Sequence, residues 1–403
     1  MDQGLRNYLI VTAGYWAFTV TDGAIRMLVV LYFHMLGYSP LEVAMLFLFY
    51  EFFGIVTNLV GGWLGARIGL NLTMHIGMGL QVVALLMLTV PDGWLTVPYV
   101  MAAQALSGIA KDLNKMSAKA SVKVMVADGS DSRLFKWVSL LTGSKNALKG
   151  AGFFVGTALM TWLGFRGALG VLAGALLVVL VTTAWLLPSG VGRMKARPRF
   201  RQVFSPLAVI NWLAAARFFL FCSRDVWFVV ALPVFLYETL GWSFNQVGGF
   251  LALWVIGYGV VQALAPGLIR RNQQRSGPGG DTARIAAFVL ALFPAAMAIA
   301  LQQDWPADMV VMVGLLLFGV VFAINSAVHS YLILAYSDHD KVALNVGFYY
   351  MANAGGRLMG TLLSGWVYQA WGLSGCLWIS SILVLAAALI SFRLPPLRAQ
   401  LSD

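Results

Sequence analysis

The chain has 403 residues, 60% of them hydrophobic and only 11% charged, with a formal net charge of +11 and a mean hydropathy of +0.80. That composition excludes a water-soluble globular protein and places the chain in lipid. A helix that crosses a bilayer needs about 20 apolar residues, and such stretches follow one another from Tyr8 to Phe392, leaving no room for a separate soluble domain.

Taken in chain order, the pattern predicts twelve spans: 7 to 36, 40 to 66, 71 to 90, 95 to 117, 134 to 162, 165 to 187, 207 to 239, 243 to 269, 283 to 302, 307 to 336, 341 to 370 and 373 to 393. The first 30 residues carry Asp22 and Arg26 inside apolar sequence and show no small-residue cleavage site, so they read as a retained first span and not a signal peptide. The alternate connections on one side hold Arg67, then Lys123, Arg133 and Lys136, then Arg193, Lys195, Arg197, Arg199 and Arg201, then Arg270, Arg271, Arg275 and Arg284, then Lys341; the other side holds little beyond Arg166. By the positive-inside bias the basic side is cytoplasmic, with both termini there, and the basic runs are topology signals instead of a nucleic-acid surface. A bacterial inner membrane is the implied location.

The longest break, Pro188 to Arg201, is rich in proline, glycine and arginine and lies near the middle of the chain. It divides an N-terminal bundle (1–187) from a C-terminal bundle (207–403) through a basic linker (188–206). The halves look like copies. Leu36-Gly37-Tyr38-Ser39 with Val43 returns 204 positions later as Leu240-Gly241-Trp242-Ser243 with Val247, and a shift of 208 pairs Lys149 with Arg357, Gly152 with Gly360, Gly164 with Gly372 and Gly167 with Gly375. Such a duplication is the mark of transporters that bind substrate at a repeat interface.

Ionisable residues inside spans each cost about 2.5 to 3.5 kcal/mol at mid-bilayer and persist with partners or for function. On the fourth span Lys111, Lys115 and Lys119 recur every four residues, a stripe about 12 Å long on one helix face at 1.5 Å per residue. Asp112 neutralises at most one of them, and Asn114 lies in the same run. The fifth span adds Lys145 and Lys149, again four apart. On the first span Asp22 and Arg26 stand in the acid-first order that favours an intrahelical pair; alternatively Arg26 serves a substrate and Asp22 takes up a proton. The seventh span offers Arg217, Arg224 and Asp225, and the eleventh Arg357. Glu51, with Asn58 two turns on, and Asp22, Asp112 and Asp225 are candidate proton carriers. His329, one turn after Asn325, is a weaker substrate contact, His34 and His75 are interfacial, and Tyr15, Tyr349 and Tyr350 are possible cavity residues. Within the spans the eight basic groups Arg26, Lys111, Lys115, Lys145, Lys149, Arg217, Arg224 and Arg357 face the four carboxylates Asp22, Glu51, Asp112 and Asp225, an excess that suits a multiply charged anion and not a hydrophobic cation. Guanidinium groups bind phosphate-like oxygens through two parallel bonds, and the expectation is that lysines and arginines of both halves converge on one aqueous chamber.

Cys222 and Cys376 both lie in apolar sequence and predict neither a disulfide framework nor a metal site. With no Gly-x-Ser-x-Gly, His-Glu-x-x-His or phosphate loop, the chain is not read as an enzyme, and no cofactor is called for.

The turn after the second span, Gly62-Trp63-Leu64-Gly65-Ala66-Arg67-Ile68-Gly69, resembles the major facilitator signature. It keeps the glycines and Arg67 but has Ala66, Leu70 and Asn71 where that family carries charge. Gly143, Gly150, Gly152 and Gly156 resemble the glycine-rich fifth helix of its antiporters. More specifically, Tyr15–Gly23 (YWAFTVTDG), Leu106–Ser117 (LSGIAKDLNKMS), Thr142–Gly150 (TGSKNALKG) and Arg224–Pro233 (RDVWFVVALP) are similar to the ArsJ family of organoarsenical efflux permeases, over nearly the whole chain. The resemblance implies an all-helical major facilitator fold and export of 1-arseno-3-phosphoglycerate; the leading reading is a monomeric secondary exporter driven by exchange for protons. That compound is made by a partner glyceraldehyde-3-phosphate dehydrogenase that has used arsenate in place of phosphate. The rival within transport is an organophosphate importer or phosphate antiporter with the same basic site.

Overall fold

A computed structural model describes residues 3–37, 46–125, 131–188, 190–193, 207–242, 244–269 and 277–396. Much of the basic linker, with Lys195, Arg197, Arg199 and Arg201, lies outside the described residues, as do Arg270, Arg271, Arg275, Arg398 and part of the Leu36–Ser39 repeat with Val43. Among the described residues there are helices and no strand. In order they are α1 (Gln3–Met35), α2 (Leu48–Ile68), α3 (Leu70–Met87), α4 (Val97–Met125), α5 (Asp131–Leu186), α6 (Ala208–Phe228), α7 (Ala231–Val234), α8 (Phe244–Ile269), α9 (Gly280–Gln302), α10 (Ala307–Ala335) and α11 (Val342–Ile390).

Among the described residues seven helical stretches are long and apolar enough to cross a membrane, with α5 at 56 residues and α11 at 49. Each of these two long helices is a pair of spans joined without a loop. The chain turns at one residue, Gly164 in α5 (φ 69°) and Gly372 in α11 (φ 62°), in a left-handed conformation that a side chain disfavours. These are the two glycines that the 208-residue repeat pairs. In the first half α1 carries Asp22 and Arg26, α2 carries Glu51, and α4 carries Lys111, Asp112, Lys115 and Lys119.

The predicted seventh span is interrupted. α6 stops at Phe228, α7 follows, and the stretch ends in a π-helical turn over Phe235–Thr239. Pro233 supplies no N–H, which loosens the helical ladder there. The Ser364 hydroxyl accepts the Ala231 N–H at 3.1 Å, so a backbone donor at the break keeps a partner, as it must in lipid.

Two compact units emerge. The first comprises residues 1–128, 144–204 and 337–351, and the second 129–143, 205–336 and 352–403. They follow the sequence halves apart from two exchanged segments, 129–143 and 337–351, whose starts and ends are both 208 positions apart, the period of the repeat. In the first unit α4 packs against α2 and α3, and in the second α10 packs against α8 and α9. The second unit has an aromatic core in which Phe318 meets Trp227 edge-on (5.2 Å between centroids) and stacks on Phe322 (5.4 Å).

The repeat also fixes one helix crossing in each unit. A Cβ on Gly152 would stand 2.6 Å from the Val20 carbonyl oxygen and 3.1 Å from the Gly23 Cα; one on Gly360, 208 positions on, would stand 2.7 Å from the Cys222 carbonyl oxygen and 3.0 Å from the Asp225 Cβ. Backbone meets backbone at both points, the close approach that small residues permit between helices in lipid. Gly152→Leu and Gly360→Leu are each expected to lower the melting temperature and the folded yield of detergent-purified protein, since overpacking costs about 1 to 3 kcal/mol or more. Gly174→Leu, at a glycine with open space around it, is expected to melt like the parent; equal melting for all three contradicts the crossing.

Candidate functional site

In the first unit the intramembrane charges gather around one aromatic ring. Tyr50, on α2 and 2% exposed, has Lys111 of α4 over its ring at 3.8 Å, Arg26 of α1 at 5.0 Å and Lys149 of α5 at 5.8 Å. Its hydroxyl donates to Asp22 at 2.5 Å. Three cations from three helices therefore gather around one ring, which lowers the cost of holding them within a span. Tyr50 is not among the residues singled out by sequence. The signal was present in an aromatic residue immediately before an acid in an apolar span.

The carboxylates are distributed around that ring. Asp22 accepts from Lys149 at 2.9 Å. Glu51 lies 3.4 Å from Arg26 and 3.9 Å from Lys111. Asp112 takes both Lys111, at 3.7 Å, and Lys115. The intrahelical Asp22–Arg26 pair suggested by spacing does not form, because each residue finds a better-placed partner on another helix. Asp112 also serves two lysines, not one, by lying between them on α4.

The lysine stripe itself is present. α4 runs on to Met125, so Lys119 stays within the helix and is buried, its ammonium 5.1 Å from the Tyr350 ring, with Lys115 at 4.8 Å from the same ring. Asn114 takes another direction. Its amide donates to the Ala110 carbonyl at 3.0 Å and lies against Gly77 of α3, away from the charged stripe. Lys145 is half-buried one turn before Lys149. Asn58 donates to the Gly54 carbonyl at 2.5 Å and not to Glu51. Tyr15 is fully buried and its hydroxyl has no hydrogen-bond partner.

The second unit holds a separate cluster. Asp225, at 0% exposure, receives Arg224 Nη2 at 2.5 Å and Arg357 Nε at 3.2 Å. The guanidinium of Arg224 lies 4.8 Å from the Phe221 ring and 5.5 Å from the Phe322 ring. Arg217, two helical turns earlier, is buried and donates to Asn353 Oδ1 at 2.8 Å and to Ser326 Oγ at 3.1 Å, with Gln262 donating to the same serine oxygen at 3.2 Å. Asn353, Ser326 and Gln262 went unnoticed in the sequence because neutral polar residues are common in helices and carry no charge signal. Asn325 and His329 are buried on α10; both side-chain amide atoms of Asn325 and Nδ1 of His329 lack a hydrogen-bond partner. His75 is half-buried on α3. Cys222 and Cys376 are buried free thiols.

Lys149 and Arg357, the pair that the repeat aligns, do the same thing in their own units: each ties its long helix to a buried aspartate on the helix that crosses it at Gly152 or Gly360. The signature turn is ordered as well. Gly69 caps α2 with φ 103°, its N–H donating to the Gly65 carbonyl, and exposed Arg67 lies 5.0 Å from the Trp63 ring. A Cβ on Gly62 would stand 2.8 Å from the Ala343 carbonyl oxygen and 2.9 Å from the Gly347 Cα.

Comparison with known proteins agrees with this architecture. No curated protein sequence matches the chain significantly. Among solved structures, the proton:xylose symporter XylE bound to 6-bromo-6-deoxy-D-glucose is similar with a TM-score of 0.76 and 14% identity, over 97% of this chain and 95% of that one. The human organic anion transporter MFSD10 (TETRAN) follows with 0.74 and 17%, over 97% and 100%. A bacterial homologue of the iron transporter ferroportin in an outward-facing state gives 0.74 and 17%, over 96% and 98%. The sequence matches the Major Facilitator Superfamily profile over residues 11–328 and again over 213–402. A chain matched over most of its length, built of paired glycine-bent helices in two repeated units, is a multi-pass membrane transporter and belongs to the Major Facilitator Superfamily.

Proposed function

We propose that this transporter exports a small, multiply charged oxyanion, and that the anion is 1-arseno-3-phosphoglycerate, supplied by a glyceraldehyde-3-phosphate dehydrogenase that has accepted arsenate. The observation that carries the reading is the charge balance of the buried clusters. Arg26, Lys111, Lys115, Lys149, Arg217, Arg224 and Arg357 are gathered with Asp22, Glu51, Asp112 and Asp225, so basic groups outnumber acidic ones in both units. Uncompensated positive charge in lipid is expensive unless an anion completes it. Lys145 is assigned to the same ligand set, and one of the four carboxylates carries a coupling proton. The organoarsenical identity rests on the resemblance of Tyr15–Gly23, Leu106–Ser117, Thr142–Gly150 and Arg224–Pro233 to that permease family. Alternating access around a midplane site is the transport cycle of such repeats.

Everted membrane vesicles supplied with arsenate, the dehydrogenase, glyceraldehyde 3-phosphate and its nicotinamide cofactor are expected to accumulate arsenic, and to accumulate none from arsenate alone. Equal accumulation from arsenate alone contradicts the substrate assignment, and uptake of glycerol phosphate by right-side-out vesicles favours an importer. In cells that also carry the dehydrogenase, Lys111→Ala, Lys115→Ala and Arg224→Ala are each expected to abolish arsenate resistance at unchanged protein level by immunoblot. Resistance intact in all three removes the anion site from these residues.

A further inference from the structure

The three carboxylates around Tyr50 are not equivalent. The side chains of Asp22 and Asp112 are each 2% exposed, whereas that of Glu51 is 25% exposed. Asp22 is held at 2.9 Å by Lys149 and by the Tyr50 hydroxyl, and Asp112 is in direct contact with Lys115. Glu51 instead stands off at 3.4 Å from Arg26 and 3.9 Å from Lys111, beyond the 2.7 to 2.9 Å or so of a tight charge-assisted bond.

The repeat separates them further. The Asp22–Lys149 pair is matched in the second unit by Asp225–Arg357, each beside a glycine crossing, so this pair is a brace common to both halves. Glu51 has no such counterpart. The residues 204 positions beyond Tyr50 and Glu51 are Trp254 and Val255, which keep the aromatic and lose the acid. Only one half carries this acid, and of the three carboxylates its side chain is the most exposed.

We infer that Glu51 is an internal rival of the transported anion: its carboxylate occupies Arg26 and Lys111, and its protonation hands both cations to the anion, so that proton and anion bind together. This deepens the anion-export reading and rests on it. Glu51 meets Arg26 of α1 and Lys111 of α4, with Tyr50 beside it in the chain; Lys111 also reaches Asp112, which holds Lys115, and Asp22 and Lys149 complete the charged cluster around the Tyr50 ring. A dianion drawn to Arg26 and Lys111 pushes the Glu51 carboxylate from its partners and sets like charge beside it, which favours the protonated acid. By reciprocity the protonated acid favours the anion to the same degree.

The sign of coupling follows, and it opposes the proton exchange expected from the sequence. Antiport needs an acid that keeps its proton while the anion is away; a carboxylate held between a guanidinium and an ammonium does the reverse. The proton therefore travels outward with the anion. An inside-negative potential favours anion exit by about 2.3 kcal/mol per charge per 100 mV, so for a multiply charged substrate the loss of one charge to a co-moving proton leaves the outward drive in place.

The test uses full-length protein in nanodiscs and calorimetric binding of 3-phosphoglycerate between pH 5.5 and 8. The ligand's own protonation is common to every protein compared and cancels between them. Wild-type affinity is expected to fall with rising pH more steeply than that of Glu51→Gln, by up to about tenfold per pH unit for one linked proton. Glu51→Gln is expected to bind about tenfold tighter than wild type at pH 8, while Asp22→Asn keeps the wild-type steepness. At pH 7.5 wild type is also expected to take up more protons on binding than Glu51→Gln does, read from heats in buffers of different ionisation enthalpy. Parallel pH profiles for wild type and Glu51→Gln, or equal proton exchange by the two on binding, overturn the inference while leaving an anion carrier in place. No binding by wild type at any pH overturns the anion reading itself.

Discussion

Everything distinctive about this protein follows from the cost of holding charge where there is no water. Each lysine or arginine within a span must be matched by a carboxylate, a π face or a polar hydrogen-bond acceptor, and the structure uses all three. Lys111 rests on Tyr50 and touches two carboxylates, Arg217 is held by neutral oxygens above Phe221, and Arg224 and Arg357 converge on the fully buried Asp225. What distinguishes the arrangement from a set of structural ion pairs is its imbalance. Among the described residues of these clusters the basic groups exceed the acidic ones in each unit, and the proposed anion reading rests on that excess.

Duplication organises these groups. Gly164 and Gly372 bend the two longest helices, Gly152 and Gly360 let them cross their neighbours backbone to backbone, and Lys149 and Arg357 lock those crossings to aspartates. Around this shared frame the halves diverge. The first carries the lysine stripe of α4, Tyr50 and Glu51; the second carries Arg217, Arg224 and a shell of amides and hydroxyls. Shared residues hold the frame, so the differences are where substrate chemistry and coupling have room to reside.

Composition and hydropathy made the helical membrane fold legible, because a bilayer enforces one rule on every span. The glycines that bend α5 and α11 were visible through their 208-residue spacing. Spacing on one helix was a poorer guide to partners. Asp22 and Arg26 are ideally placed for each other along α1, yet tertiary packing brings Lys149 and Glu51 to them instead. Asn114 sits in a charged run but turns toward Gly77, since a helix places successive residues on different faces. Tyr50 escaped notice because aromatic residues in membrane helices usually pack or anchor at the interface, and only three-dimensional contact shows it ringed by cations. The break after Phe228 was hidden by an apolar sequence that reads as continuous, although Pro233 marked it.

The central claim is that Arg26 and Lys111 are ligands of the exported anion and that Glu51 yields them to it. A structure of the protein soaked with a stable arsonate analogue of the substrate, in which carbon replaces the bridging oxygen, tests this directly through anomalous scattering at the arsenic edge. The account predicts an arsenic peak within contact of Arg26 and Lys111, with the Glu51 carboxylate moved off both. An arsenic peak elsewhere, with Glu51 still seated on Arg26 and Lys111, contradicts it.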